Sequence, residues 1–484
     1  MKKIENMLGK RLFSLNFYKD LKLPLGKMSF TKDFVNETCG DIYPVIESSD
    51  GLCEKIADGK YFANGKVTRL IGRHLPYCTY EIVFDSLDGV GGFSFILPNA
   101  KIFAGLKNDG QKLSLEFSDG SKKENFETSL SFEKGTSLLV TTRKKNLDCY
   151  IKTSGFPQYI CTFCADSFEN IEYSKVFEKC SSCVSIFGDC VLSDASFYID
   201  CGISQADIRP VRYENGEIMI ENGKVYLTAS IRMQAECYQG IFSWVPGTSD
   251  FELVGALFYD AGDGMWGNDV AASMMYDRNE KIWKLWVCSF SHGHILGHAQ
   301  FEGDVRFGVN VLDITLMEKM DDGNENTFYG KMSDEDPDFI YDEKSGKWYM
   351  SICRAVTGHD SREYHYFFFE SDNAFSGYKF IGRTACGGAE TGGSLLMLDG
   401  RLVFACGACF DKRAEYRIYN LFDIDHCTRM RFDYDDGGFR GWGTIIPIKY
   451  GNRKRYFHLT FDRSGGSDYT WSYGNVYCFE LIEE

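Results

Sequence analysis

Five times in the later part of this sequence, a short apolar strand runs into a polar turn and out into a second, aromatic-rich strand. The copies are Ile218–Leu227, Met274–Trp283, Phe339–Trp348, Leu396–Val403 and Pro447–Tyr456. They recur every ~50–65 residues, the spacing of propeller blades, each a small antiparallel sheet that buries its faces against its neighbours. A second element repeats inside two units: Ile241-Phe242-Ser243 leads to Phe251–Gly255, and Phe367–Ser371 leads to Tyr378–Gly382. Five hairpins imply five blades, and no stretch of helical period competes with them. The expectation is an all-β chain whose residues 206–484 form a five-bladed β-propeller.

Upstream, residues 1–205 are expected to form a β-sandwich. Tyr80–Phe84, Leu113–Phe117 and Ser137–Thr142 have strand character, punctuated by Asn108-Asp109-Gly110, Ser118-Asp119-Gly120 and Glu133-Lys134-Gly135. Strand, turn and strand in this order read as antiparallel sheet. Val184–Asp189 and Phe197–Asp200 supply the closing strands. The segment resembles the laminin-G and concanavalin-like jelly rolls of carbohydrate-active proteins.

Sixty-nine acidic residues against 53 basic ones give a formal charge of −16. That balance disfavours phosphate backbones and anionic lipid, so neither nucleic acid nor a membrane surface is the expected partner. No apolar run approaches the ~18 residues of a membrane span. Met1-Lys2-Lys3, followed by Glu5, Lys10 and Arg11, lacks the apolar core of an export signal, and the expectation is a cytoplasmic protein. The 18 cysteines then read as reduced thiols buried as small hydrophobes. Cys161/Cys164 and Cys180/Cys183 have zinc-ribbon spacing but sit in strand-like sequence, and no metal is assigned to them.

Residues just before an inner hairpin converge on the propeller axis. Asp336 lies ten residues before Gly346 and Glu390 ten before Gly400, so equal offsets place both carboxylates on adjacent blades at one site. In the first copy the same offset gives Tyr213 beside Glu214, with Asp207 upstream; in the second, Asp269 precedes the strand. Two or three carboxylates facing one pocket are what glycoside hydrolysis needs: an acid to protonate the leaving oxygen, and a base or nucleophile opposite. Asp334, Asp338, Asp342 and Asp277 read instead as turn or surface acids.

With Asp336-Pro337, Phe339-Ile340-Tyr341 and Gly346-Lys347-Trp348, the chain resembles the clan of five-bladed glycosidases that includes invertases, fructanases, arabinanases and β-xylosidases. The resemblance implies a base or nucleophilic Asp on blade one, a pKa-tuning Asp336 on blade three and an acid Glu390 on blade four. It leaves Asp207, Glu214 and Asp269 all as candidates for the first role. The chain departs from the clan in several places. The invertase signature Trp-Met-Asn-Asp-Pro-Asn-Gly is absent, Gly392 replaces a Pro after the Glu, and Asp207-Ile208-Arg209-Pro210 replaces an Asp-Pro. The sandwich precedes the propeller rather than following it.

Trp266, Trp442 and Trp471 lie in loops rich in small residues and read as sugar-stacking platforms. Arg209 and Arg354, with Arg306 and Arg440, are candidate hydroxyl-binding groups. His292 and His294 alternate on one strand face, with His298 nearby. They read as a polar loop lining the pocket, and the resemblance admits a cation on the axis. The functional expectation is a glycoside hydrolase acting on a small carbohydrate without a required cofactor. A glycoside phosphorylase and a non-catalytic glycan-binding propeller are the alternatives.

Overall fold

The structure is a computed structural model. It describes residues 6–17, 21–27, 51–98, 100–120, 122–168, 180–234, 236–264, 266, 269–323, 334–355, 364–385, 390–408, 415–433, 439–462 and 474–483. Two compact units emerge. One comprises residues 22–200 with the short segment 263–265; the other comprises 1–21, 201–262 and 266–484. The first 21 residues therefore join the second unit instead of the first, which corrects the boundary drawn at residue 205.

The second unit is a five-bladed propeller. Its blades open on the inner strands Ser204–Pro210, Asp269–Asp277, Asp334–Asp342, Glu390–Leu398 and Phe439–Tyr450. Each of these packs beside the next, and the fifth returns to the first, which closes the ring. Blade three shows the plan: Asp334–Asp342, Lys347–Ala355, Tyr364–Ser371 and Lys379–Arg383 pair in chain order, all antiparallel. Among the described residues blade five has three strands of its own. Met7–Leu15 supplies a fourth by pairing antiparallel with Val476–Glu483, and pairs in parallel with Asp423–Asp433 of blade four.

The core lies between blades, and this explains the unbroken aromatic run in Tyr364–Ser371. Side chains alternate along a strand, so a strand with both faces covered is apolar throughout. Tyr364, Tyr366 and Phe368 pack toward blade four with Leu395 and Phe404. Phe367 and Phe369 pack toward blade two with Met275 and Trp286. The turns follow local chemistry. Asp342 accepts from the amides of Lys344 and Ser345, and Gly346 closes the turn at φ +69°. Asp399-Gly400 forms a two-residue turn with both residues at positive φ, the type that matches strand twist.

The first unit is also all β. Its strands are joined by hydrogen bonds into one sheet rather than two separate ones. Two long strands, Thr79–Leu97 and Ser181–Asp200, run through the whole of it. Their pairing breaks register near Val191–Asp194, and each half recruits its own neighbours. Aromatic contacts link the halves: Phe117 stacks on Phe163 at 4.8 Å. The chain enters and leaves this unit side by side, because Lys22 pairs with Asp200 and the Cys201 amide donates to the Leu21 carbonyl at 3.1 Å.

Candidate active site

Every inner strand carries a β-bulge at one level. The register slips between Ala206/Arg209, Val270/Ser273, Glu335/Asp338, Thr391/Ser394 and Arg440/Gly443. Where φ is positive, the bulged residue is Asp207 (+52°), Ala271 (+57°), Asp336 (+50°) or Gly392 (+63°). A left-handed backbone is costly for a residue with a side chain, and bulges re-aim what they carry. Here they re-aim Asp207 and Asp336.

This alignment corrects the equal-offset argument. Asp336 is equivalent to Gly392, and Glu390 is equivalent to Asp334, two residues earlier. The turn of blade three spans four residues between Asp342 and Lys347, that of blade four only two between Leu398 and Arg401. Counting back from the turn glycine therefore shifts the frame by two, yet both acids remain at the same end of the ring.

Asp336 is buried, and its Oδ2 accepts from the Gly392 amide at 3.0 Å and the Tyr366 hydroxyl at 3.4 Å. Burial, reinforced by the charge of Asp207 and against that of Arg209, raises its carboxyl to about 7. Asp207 accepts from Ser230 Oγ at 2.6 Å, with the Arg232 guanidinium at 3.7 Å. Glu390 is fully buried. It is held by Arg417 at 2.8 Å and by the hydroxyls of Tyr419 and Thr384. Asp269 opens blade two at the same level as Glu390. Its carboxyl is pushed up by burial, and it accepts from Ser289 Oγ at 2.8 Å. His292 reaches the same place through Ser289, with Nδ1 2.8 Å from Oγ. His294 Nδ1 lies 3.0 Å from Glu335, the neighbour of Asp336.

Other expectations are corrected. Glu214 sits at the opposite end of the blades. It follows Arg212–Tyr213, which pairs with Met275–Tyr276, and it accepts three side-chain bonds from Arg278, beyond the end of that inner strand. The strand Asp269–Asp277 separates it from the acids by roughly 26 Å at ~3.3 Å per residue. Burial raises the Glu214 carboxyl, but the Arg278 bonds bring it below its ordinary value overall. Trp266 is a core residue, 2% exposed and stacked on Phe258 at 5.2 Å, so it offers no open face. Arg354 is buried in an ion pair with Asp334 at 2.6 Å, and Arg209 is buried on the axis. Trp442 lies in the blade-five bulge, with its side chain outside the described residues, as is Trp471.

Asp334 and Asp338 are interior rather than surface acids. Asp338 is fully buried between the Arg212 guanidinium, Ser273 Oγ and the Leu395 amide. Asp277 caps its turn and also binds the buried Lys284 at 2.7 Å. Among the described residues no three His, Cys, Asp or Glu side chains converge as a metal site, the two Cys pairs included. Cavities of about 340 and 440 Å³ lie at the hairpin end, by Gly216 and Met397 and by Tyr276 and Arg278. Segments 324–333, 356–363, 386–389, 409–414 and 463–473 lie outside the described residues.

Part of the chain is similar to solved structures. Bacillus subtilis levansucrase is 12% identical, covering 58% of this chain and 86% of its own, with a TM-score of 0.40. The inulosucrase of Halalkalicoccus jeotgali bound to kestose is 11% identical over 55% and 78%, with a TM-score of 0.38. The α-L-arabinofuranosidase of Podospora anserina is 13% identical over 58% and 91%, also at 0.38. These are similarities of fold. The sequence matches no protein-family model, and no curated protein matches it.

Tyr366, Arg417, Tyr419 and Ser230, which hold the three acids, were not singled out from sequence. The signal was there for Arg417: a cation inside the apolar strand Tyr416–Asn420 needs a buried partner.

Proposed function

We propose that this chain is a glycoside hydrolase that cleaves a small neutral oligosaccharide or glycoside at the acid-lined end of its propeller. The supporting observation is the Asp207–Asp336 pair. Two bulges carry these carboxyls, and burial of Asp336, with the charge of Asp207 added to it, raises its proton affinity to about 7. A carboxyl that holds a proton near neutral pH beside a second carboxylate is the division of labour glycoside cleavage requires.

In this reading Asp336 protonates the glycosidic oxygen, and the sugar leaves as an alcohol. Either Asp207 attacks the anomeric carbon, and Asp336 regains its proton from the water that then cleaves the glycosyl ester, or Asp207 takes the proton of the attacking water, and exchange with solvent returns that proton from Asp207 and reprotonates Asp336. Glu390, whose carboxyl oxygens are engaged by Arg417, Tyr419 and Thr384, orients the site rather than serving as the proton donor. This reverses the roles that the resemblance implies for Asp336 and Glu390. The surplus of carboxylates over unpaired cations favours neutral sugars.

The test uses alkyl and aryl glycosides, with and without phosphate, on the wild type, Asp336→Asn, Asp207→Asn and Glu390→Gln. Loss of an acid costs roughly 10²–10⁴-fold on poor leaving groups and much less on good ones. Asp336→Asn is therefore expected to retain turnover of activated aryl glycosides, and Asp207→Asn to lose both. If only Glu390→Gln shows the leaving-group dependence, the donor is Glu390. Phosphate-dependent turnover would replace hydrolysis by phosphorolysis, and binding without turnover would leave a glycan-binding protein.

A further inference from the structure

We infer that Arg209 is a positioning residue for the acid pair: its guanidinium, ringed by main-chain carbonyls of three blades, is a fixed axial cation that tunes the Asp336 carboxyl and holds the bulge it hangs from. The role deepens the reading proposed above, but it is a statement about Asp336 that can be measured without any substrate.

Arg209 follows the blade-one bulge and turns inward. Nη1 donates to the Ala271 carbonyl at 2.7 Å, and Nη2 donates to the carbonyls of Asp336 at 3.1 Å and Gly393 at 3.0 Å. Ala271 and Asp336 are the bulged residues of blades two and three, and Gly393 follows the bulged Gly392 of blade four. One side chain thus spans four blades at the level where the acids sit. Among the described residues its hydrogen bonds go to carbonyl oxygens and none to a carboxylate. Asp338, Asp336 and Asp207 feel it through space.

Arg212, three residues on, provides the contrast. It is also buried on the axis, donating to the Leu395 and Phe339 carbonyls and to Ser273 Oγ. But Asp338 binds it directly, so its charge is cancelled where it stands. Arg212 is a neutralised pin. Arg209 is a cation held by dipoles, and its field reaches the neighbouring carboxyls in a low-dielectric interior.

The groups that bear on Asp336 come from several elements. Asp207 and Arg209 face it from blade one and Glu335 from its own strand; Cys353 and Tyr366 lie on the next strands of blade three, and Cys288 comes from blade two. Among these Arg209 is the cation. Without it, Asp207 and Glu335 would act on Asp336 unopposed, and the Asp336 backbone would lose a bond that fixes its left-handed conformation.

The experiment is a carboxyl titration of Asp336 by ¹³C NMR on the full-length chain carrying labelled Asp. The variants are Arg209→Met, Arg209→Lys and, as control, the double variant Arg212→Met with Asp338→Asn, which removes the cancelled pair together. The midpoint is expected to rise by about one pH unit in Arg209→Met, to return toward wild type in Arg209→Lys, and to stay in place in the double variant. A folded Arg209→Met protein with an unshifted midpoint would overturn the inference, as would an equal shift in the double variant. Should Arg209→Met fail to fold, the wild type still decides. Its Arg209 guanidinium ¹⁵N signals must shift with the Asp336 midpoint, and that response must vanish in Asp336→Asn. Loss of glycosidase activity in every variant without these shifts would count against the Arg209 role alone. Shifts in a protein that turns over no sugar would count against the hydrolase reading alone.

Discussion

A carboxyl held at about 7 inside a folded protein makes that protein less stable at neutral pH than its packing allows, and Asp336 offers a direct measure of the effect. In the unfolded chain an Asp gives up its proton near pH 3.9. In the native site burial and Asp207 keep the proton on until about pH 7. Between these values the unfolded state binds fewer protons, so stability falls as pH rises. The contribution is fully present below about pH 4 and lost by about pH 7. A shift of about three units at 1.36 kcal/mol each amounts to about 4 kcal/mol. Asp336→Asn removes the titration while leaving an oxygen to accept from the Gly392 amide. At pH 7.5 the variant should be more stable by up to about 4 kcal/mol, less ~1 kcal/mol for an imperfectly paired amide. At pH 4 the two proteins should nearly coincide. Urea unfolding followed by tryptophan fluorescence reads this from one unit alone, because all seven tryptophans lie in the propeller. A stability difference that does not change between pH 4 and 7.5 would refute the reasoning.

Three further outcomes are expected. Asp207→Asn removes the charge that adds to burial in raising Asp336, so the Asp336 midpoint should move down in a carboxyl titration; an upward move would mean the two acids are not coupled as described. Trp266→Ala should cost about 3–5 kcal/mol in thermal or urea unfolding, through the lost stack on Phe258, with KM for any substrate unchanged. Arg278→Ala breaks a pair that is partly open to solvent and should cost at most about 1 kcal/mol with no change in turnover. A strong activity loss there would return Glu214 to the site.

The blades were legible because their interiors impose period two on long apolar strands. The five hairpins stand at Ile220–Val225, Asp277–Ile282, Asp342–Lys347, Leu398–Arg401 and Tyr450–Arg453, inside or beside the sequence copies. The site was legible only to within a frame. In blade one, residues 211–219 intervene between the inner strand and the hairpin, and Ile220–Glu221 stands in for an inner strand that is really Ser204–Pro210. The offset rule therefore landed on Tyr213 and Glu214 instead of Asp207. Turn length and inserted segments change spacing without changing hydrophobic pattern, so periodicity cannot report them. Nor could pattern show that Trp266, though flanked by glycines, packs inward, or that Arg354 is spent on Asp334. The closing strand Met7–Leu15 was missed because its partner strand lies at the far end of the chain.

That closing strand sits on the other side of residues 22–200 from everything it completes. The chain leaves the propeller at Leu21 and resumes at Cys201, where the two backbones already share a hydrogen bond. Residues 22–200 are therefore a cassette in an interrupted ring. A single protease nick between Leu21 and Lys22 would convert the first 21 residues into a bound peptide, held by its ladders to blades five and four and by Phe13 and Phe17 against Phe251 and Phe242.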